Sequence, residues 1–151
     1  MLDAEAMHPG RTGIGHLRIA ARTNGIPASR VSAVIEQVGL GTAARRRIKG
    51  YSLGMRQRLG IAAALLGDPP VLMFDEPVNG LDVDGVRWIR GLLREFADEG
   101  RTVFVSSHLM SELQLIADHV IIIGKGRLVA DATLPELLRS LGPRRVHVRT
   151  S

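Results

Sequence analysis

The chain has 151 residues, of which 45% are apolar and only 3% aromatic, and it carries a net charge of +5. It contains no cysteine, which excludes disulfides and thiolate metal sites. Its apolar runs are too short to span a bilayer, and no secretory signal opens it. We therefore expect a cytosolic protein, one domain or part of a larger one, that touches membranes only through a partner.

The charge comes mostly from arginine, since eighteen of the twenty basic residues are Arg. A basic balance is compatible with nucleic acid, an acidic membrane surface or phosphate ligands. The arginines are scattered, however, and Arg45-Arg46-Arg47 is the only tight cluster. The charge alone therefore identifies no partner.

Residues 1–66 have the apolar spacing of helices. The pattern predicts helices over residues 12–22, 27–38 and 52–66, with a Gly- and Arg-rich connection over 39–50. "GDPP" at residues 67–70 ends the third helix. We expect this part to be one helical domain.

After residue 70 the hydrophobic pattern changes to short β-type runs that alternate with helices. Strands are predicted at 71–75, 102–107 and 119–123, with helices at 83–98 and 109–116. This order predicts a parallel sheet with right-handed crossovers. A short strand at 127–130, a helix from Thr133 to Leu141, a stop at Gly142-Pro143 and a strand beginning at Val146 follow. We therefore divide the remainder into an α/β core at 67–130 and a C-terminal helix with the start of a tail at 131–151.

Two adjacent carboxylates, Asp75 and Glu76, end the apolar strand in "VLMFDEPVNGLD", residues 71–82. Ligands of open parallel sheets bind beyond the carboxyl ends of the strands. Asp75 suits a hard cation such as Mg²⁺, which takes oxygen ligands and keeps several waters. Glu76 suits a general base that accepts a proton from an attacking water. A capping Asp beside a solvated Glu is the alternative.

His108 and Asp82 extend this group. His108 follows the strand at 102–107, so we expect it at the same sheet edge, where it could contact a transferred phosphate. A lone histidine at a strand end is more often polar surface. Asp82 is predicted to cap the helix that starts near Val83.

The stretch "YSLGMRQR", residues 51–58, places Ser52 and Gly54 at the first turn of a long helix. Free N–H groups and the positive end of the helix dipole make such a turn an anion site. The alternative is a serine that only caps a packed helix.

Taken in order, these pieces resemble the nucleotide-binding subunit of an ABC transporter. "YSLGMRQR" resembles the family signature, "VLMFDEP" the Walker B motif, "NGLD" the D-loop and "VSSH" the segment with the switch histidine. "LDAEAMHPGRT", residues 2–12, resembles the segment around the Q-loop. The resemblance points to bacterial exporters of the bacitracin- or daunorubicin-resistance type. It implies an α/β fold that is part of a P-loop ATPase, with a helical subdomain followed by a parallel-sheet core segment.

The resemblance also implies residue roles in the use of ATP and Mg²⁺. Asp75 would bind Mg²⁺ through water, Glu76 would polarise the attacking water, and His108 would contact the γ-phosphate. Ser52 and Gly54 would contact the nucleotide of a second nucleotide-binding subunit in a head-to-tail dimer, and Asp82 would communicate across that interface. The implied partners are this second subunit and a transmembrane permease, which would hold the protein at the inner face of the cell membrane. No nucleic acid is expected.

Two departures from the family pattern concern Leu53 and Asp3. Leu53 stands where the signature usually has its first glycine. Asp3 stands at the position of the Q-loop glutamine. A carboxylate there can bind magnesium or a water but cannot donate a hydrogen bond as an amide does.

No match to the phosphate loop G-x-x-x-x-G-K-[ST] occurs in the 151 residues. The nearest stretch is Gly10 to Gly15, but His16 and Leu17 occupy the Lys and Ser/Thr positions and no strand is predicted before it. We expect the loop to precede Met1 in the complete protein, because it lies upstream of the Q-loop in the family. Without its backbone donors and lysine, this chain alone should bind ATP weakly and be inactive.

The sequence leads to several hypotheses about function. The first is the C-terminal part of an ATP-hydrolysing transporter subunit, present as a fragment that lacks the phosphate loop. The second is a non-catalytic interaction protein that lends Ser52 and Gly54 to a partner's ATP site; a non-functional gene fragment is a separate alternative. The third, a basic nucleic-acid-binding module, is the weakest because aromatics for base stacking are scarce.

Overall fold

The computed structural model describes residues 7–140, which form two compact units, one ending at Ser106 and the other beginning at Ser107. The first unit contains α1 (Gly13–Thr23), α2 (Ala28–Gln37), two 3-10 turns (Gly41–Arg45 and Ile48–Gly50), α3 (Leu53–Leu65), β1 (Val71–Asp75), α4 (Val83–Asp98) and β2 (Thr102–Ser106). The second unit contains α5 (Met110–Ile116), β3 (His119–Gly124), β4 (Arg127–Thr133) and α6 (Leu134–Ser140). The predicted helices and strands of the first unit are confirmed to within a residue or two, whereas the 3-10 turns were not predicted.

Side-chain caps explain where three of these helices begin. Each cap satisfies one backbone N–H that the first turn of a helix leaves unpaired, a contribution of about 1 kcal/mol. The three bonds run from Gly15 N to Thr12 Oγ1 over 3.1 Å, from Met55 N to Ser52 Oγ over 3.2 Å and from Gly85 N to Asp82 Oδ1 over 2.8 Å. The predicted cap of α4 by Asp82 is thus confirmed.

Helices α1, α2 and α3 pack around a small apolar core. Leu17, Val34 and Leu59, one from each helix, are completely buried. Tyr51, just before α3, is also buried, and its hydroxyl donates to the Ala43 carbonyl over 2.8 Å. Burial raises the pKa of this hydroxyl. The tyrosine therefore anchors the start of α3 to the turn after α2.

Strands β1 and β2 pair in parallel, with Met73 opposite Phe104 and Asp75 opposite Ser106. One face of the pair includes the buried Leu72, and α4 packs against β2. The other face exposes Val71, Met73 and Phe104. The parallel register brings the last residues of both strands to one edge, as the sequence predicted.

The third predicted strand departs from the expectation of one parallel sheet. β3 pairs antiparallel with β4 in a second two-stranded sheet, so its predicted place in a sheet with β1 and β2 is wrong for the described residues. The pairing of β3 with β4 has a local cause: Lys125 and Gly126 both have positive φ, 50° and 72°, which suits a tight hairpin turn. The hairpin also extends β4 to Thr133. The predicted stop at Gly142-Pro143 and the strand from Val146 lie outside the described residues.

An ion-pair network joins the helices to the sheet within the first unit. Asp68 contacts Arg30 at 3.3 Å and Arg101 at 2.9 Å. Arg30 also donates to the carbonyl of Leu65, and Arg101 to that of Pro69. The hydrogen bond from Arg101 and the charge of Arg30 lower the pKa of Asp68. This network fixes the turn between α3 and β1.

Candidate functional site

The end of β1 is held by a serine from the end of β2. The Ser106 hydroxyl donates a short hydrogen bond to Asp75 Oδ1 and accepts one from the backbone N–H of Glu76 over 3.0 Å. The same N–H also points to the Ser106 carbonyl, at 3.2 Å. Ser106 therefore orients the Asp75 carboxylate and the backbone at Glu76 together.

Glu76 has an unusual backbone conformation. Its φ is 47°, in the left-handed region, which costs a non-glycine residue roughly 1–2 kcal/mol. Its carbonyl accepts from Asn79 N over 3.1 Å, which closes a tight turn directly after the strand. The chain therefore turns at Glu76 itself, directly after the last residue of β1.

The first two turns of α3 pack against the segment that follows Glu76, residues 77–82, which we call the connecting turn. Gln57 Nε2 donates to the Pro77 carbonyl over 3.3 Å. A Cβ built on Gly80 would lie 2.7 Å from Leu53 Cδ2, closer than a Cβ can approach. Because φ is also 71° at Gly80, a side chain there would be strained as well as crowded, so this position favours glycine. The carboxylate end of β1 and the N-terminus of α3 thus share one turn.

Arg58, the residue after Gln57, connects α3 to α4. Its guanidinium lies 3.8 Å from the centroid of the Trp88 ring and donates to the Val38 carbonyl over 2.8 Å. Burial lowers the pKa of Arg58, and the negative charge of Asp82 opposes that shift. Arg58 therefore fixes the signature-like helix against the helix that Asp82 caps.

Ser52 is exposed at the N-terminus of α3, and Gly54 is half-buried beside Leu81. The Ser52 oxygen accepts the capping bond from Met55, which leaves its hydroxyl hydrogen available to donate. Capping and contact with an external anion are therefore compatible. Leu53, which is 50% exposed, extends from the same turn.

The predicted roles of His108 and Asp3 stay predictions. His108 is exposed and belongs to the second unit, two residues after β2 ends. Its placement beside Asp75 and Glu76 stays a prediction. Asp3 lies outside the described residues, and its role as a ligand likewise stays a prediction.

Sequence reasoning missed three side chains that organise this region: Ser106, Leu53 as a contact of the turn, and Arg58. "SSH" contained Ser106, but only the strand register shows that it faces Asp75. Within the described range of the chain, no three His, Asp or Glu side chains are grouped so that they could hold a metal ion. In that range no helix is long and apolar enough to cross a membrane.

Comparison with known proteins identifies a family model and several relatives that match this chain. The family model described as ABC transporter matches residues 8–79. The bacitracin transport ATP-binding protein BcrA of Enterococcus faecalis is 40% identical over 139 residues, which are 91% of this chain and 45% of the relative. The lantibiotic transport ATP-binding protein SrtF of Streptococcus pyogenes is 33% identical over 131 residues, 87% of this chain and 57% of the relative.

An uncharacterized ABC transporter ATP-binding protein of Bacillus subtilis, YhcH, is 47% identical over 113 residues, 74% of this chain and 37% of the relative. The chain therefore spans about half the length of the curated relatives it matches.

Proposed function

This chain belongs to the ABC transporter family of ATP-binding proteins, and we propose a specific role for it. It is the part of an exporter's ATP-hydrolysing subunit that contacts the γ-phosphate of ATP and catalyses its hydrolysis. The observation that carries the proposal is the connecting turn. This turn begins at the carboxylates of β1, contacts the first turns of α3 and ends at the Asp82 cap of α4. A structural change at the carboxylates that end β1 should therefore affect the N-terminus of α3, and the reverse.

Asp75 is the residue that would help to hold Mg²⁺. Its carboxylate is exposed at the end of a strand and oriented by Ser106. Carboxylate and hydroxyl oxygens suit a hard cation that retains its waters, so these residues fit the ion. When bound, Mg²⁺ would neutralise phosphate charge. The role of this chain is to fix the direction of the Asp75 carboxylate through Ser106.

Glu76 is proposed as the general base and His108 as a contact to the γ-phosphate. Ser106 bonds to the Asp75 carboxylate but only to the backbone N–H of Glu76, so we propose that the two carboxylates have different roles. Accepting the proton of an attacking water is worth roughly 10² to 10⁴ in rate. We propose that Asp3 is a further ligand through a water.

Ser52 and Gly54 are proposed to act on the ATP of a second nucleotide-binding subunit. The exposed hydroxyl and the N-terminus of α3 can donate to a phosphate oxygen, and Asp82 lies at the far end of the same turn. The assembly would include a transmembrane permease and lie at the inner face of the cell membrane. Bacitracin and lantibiotics, named for two relatives, are the first substrates to test.

The test is a chimera in which this chain replaces the aligned segment of the bacitracin transport ATP-binding protein of E. faecalis. We expect Mg-ATP turnover that E76Q lowers by roughly 10² to 10⁴-fold. E95Q, at an exposed position of α4, is the matched control and should leave turnover unchanged. Wild-type turnover in E76Q would show that the base is assigned wrongly.

A second candidate is a non-catalytic protein that only lends Ser52 and Gly54 to a complete partner. It is supported by the exposed Ser52, whose hydroxyl accepts the capping bond and still has a hydrogen to donate. In that case the chain itself should raise the ATPase rate of an added complete subunit, and S52A should abolish the increase while E76Q should not.

A further inference from the structure

Among residues 7–140, positive charge is concentrated in the helical part. Residues 7–67 contain ten lysines and arginines and a single acidic residue, Glu36. Residues 68–140 contain twelve acidic and seven basic residues. The nucleotide-facing roles proposed above use none of the exposed cations of the helical part.

Backbone pairing brings five of these cations together. Residues 9–13 run beside residues 46–49, with hydrogen bonds from Ile48 N to the Arg11 carbonyl over 2.8 Å and from Lys49 N to the Pro9 carbonyl over 3.0 Å. An isolated antiparallel bridge joins Thr12 to Arg47. Arg11 and Lys49 therefore join the arginine run that the sequence showed. The resulting cluster, which we call the basic corner, consists of Arg11, Arg45, Arg46, Arg47 and Lys49.

The basic corner is open to solvent and is not neutralised by its own chain. All five residues are exposed, and none of them forms an ion pair with an acidic group of residues 7–140. Burial lowers the pKa of the nearby His16, and the positive charge of Arg11 lowers it further. Five like charges on adjacent turns repel one another, which favours an anionic partner.

We propose that the basic corner binds the anionic phospholipid surface of the membrane. This inference rests on the proposed function for its setting, because a permease-bound subunit works at the cytoplasmic leaflet. Clusters of four to eight Lys and Arg residues next to that leaflet bind anionic headgroups. The cations lie on exposed 3-10 turns and a loop, which suits a surface of mobile headgroups.

Nucleic acid fits the corner less well than lipid does. Binding to single strands uses aromatic side chains on which bases stack. Tyr51 is the only Phe, Trp or Tyr in residues 7–67, and it is buried. The corner thus offers charge without a stacking platform.

Vesicle co-sedimentation of the purified chain, without nucleotide or permease, tests this directly. We expect binding to phosphatidylcholine vesicles that contain phosphatidylglycerol, no binding to pure phosphatidylcholine, and release by salt. Each cation near an anionic surface raises the partition coefficient onto vesicles about fivefold. The partition coefficient of R45Q/R46Q/R47Q should therefore be lower by roughly 100-fold.

The matched control removes the same charge elsewhere. R22Q/R127Q/R139Q changes three exposed arginines and should bind nearly as the wild type does. Because Arg46 also donates to the Gly50 carbonyl over 3.4 Å, R45Q/R47Q is a second variant that leaves this bond intact and should lose about 25-fold. Circular dichroism of each variant checks that it is folded.

Equal losses in the two triple variants would overturn the proposal, since net charge alone would then explain binding. Tighter binding to duplex or single-stranded nucleic acid than to anionic vesicles at equal salt would also overturn it. So would recruitment only by vesicles that contain a permease. Because the vesicle assay needs no ATP, its result can be interpreted even if the ATPase tests of the proposed function fail.

Discussion

Replacing Gly80 by alanine probes the contact between the connecting turn and α3. The new Cβ would lie 2.7 Å from Leu53 Cδ2, and the backbone would keep a φ of 71°. The left-handed conformation costs alanine roughly 1–2 kcal/mol. Leu53 is half-exposed and can rotate away, at a cost of about 0.5–1.5 kcal/mol for a strained rotamer. G80A should therefore destabilise the chain by about 1.5–3.5 kcal/mol.

Gly100 provides a control that isolates the steric part. Its φ is 85°, and a Cβ built on it meets nothing within 4 Å, so G100A should cost only the backbone part, roughly 1–2 kcal/mol. Adding L53A to G80A should remove the steric part and leave the backbone part.

Urea-induced unfolding of the wild type and of the three variants gives these free energies, provided that the slope of each transition is unchanged. The same substitutions in the chimera should lower ATP turnover for G80A more than for G100A. If G80A and G100A cost the same and L53A rescues nothing, Leu53 does not contact the turn, and the proposed link between signature and carboxylates is wrong.

Three further predictions concern the residues around this link. R58Q and W88L should show a coupling of roughly 0.5–2 kcal/mol in a double-mutant cycle of unfolding free energies, because the cation–π contact needs both partners; additive effects would contradict the contact. The pKa of Asp68 is lowered in the fold by its two arginine partners, so its contribution is present above pH 3.8 and is lost as pH falls through the lower folded value. D68N should therefore reduce the dependence of the unfolding free energy on pH in the acid range. An unchanged dependence on pH would contradict the ion pairs. Y51F should cost about 1–3 kcal/mol, since it leaves the Ala43 carbonyl without its buried donor, whereas a loss below half that range would mean that water replaces the hydroxyl.

Local signals in the sequence account for most of the helices and strands. Capping residues such as Thr12, Ser52 and Asp82 mark helix starts because their oxygens satisfy the first free N–H groups. Positive φ at Gly25 and Gly39 explains why glycines mark where α1 and α2 stop. Such patterns depend on a few neighbouring residues and can be interpreted without the fold.

Pairwise contacts across long separations could not be predicted in this way. Ser106 reaches Asp75 over 31 positions, and this contact depends on the strand register. Arg30 and Asp68 meet only because α2 packs beside the end of α3. The antiparallel pairing of β3 with β4 depends on the turn at Lys125-Gly126. The candidate carboxylates could thus be located from the sequence, whereas their supporting residues could not.

ATP-dependent dimerisation of the E76Q chimera tests the central claim most directly. If Glu76 is the base and Ser52 serves the nucleotide of a second subunit, blocking hydrolysis should trap the closed dimer. Size-exclusion chromatography should show a shift from monomer to dimer with ATP, and S52A should abolish that shift. A monomer at saturating ATP, or a dimer that forms equally well with S52A, would contradict the account.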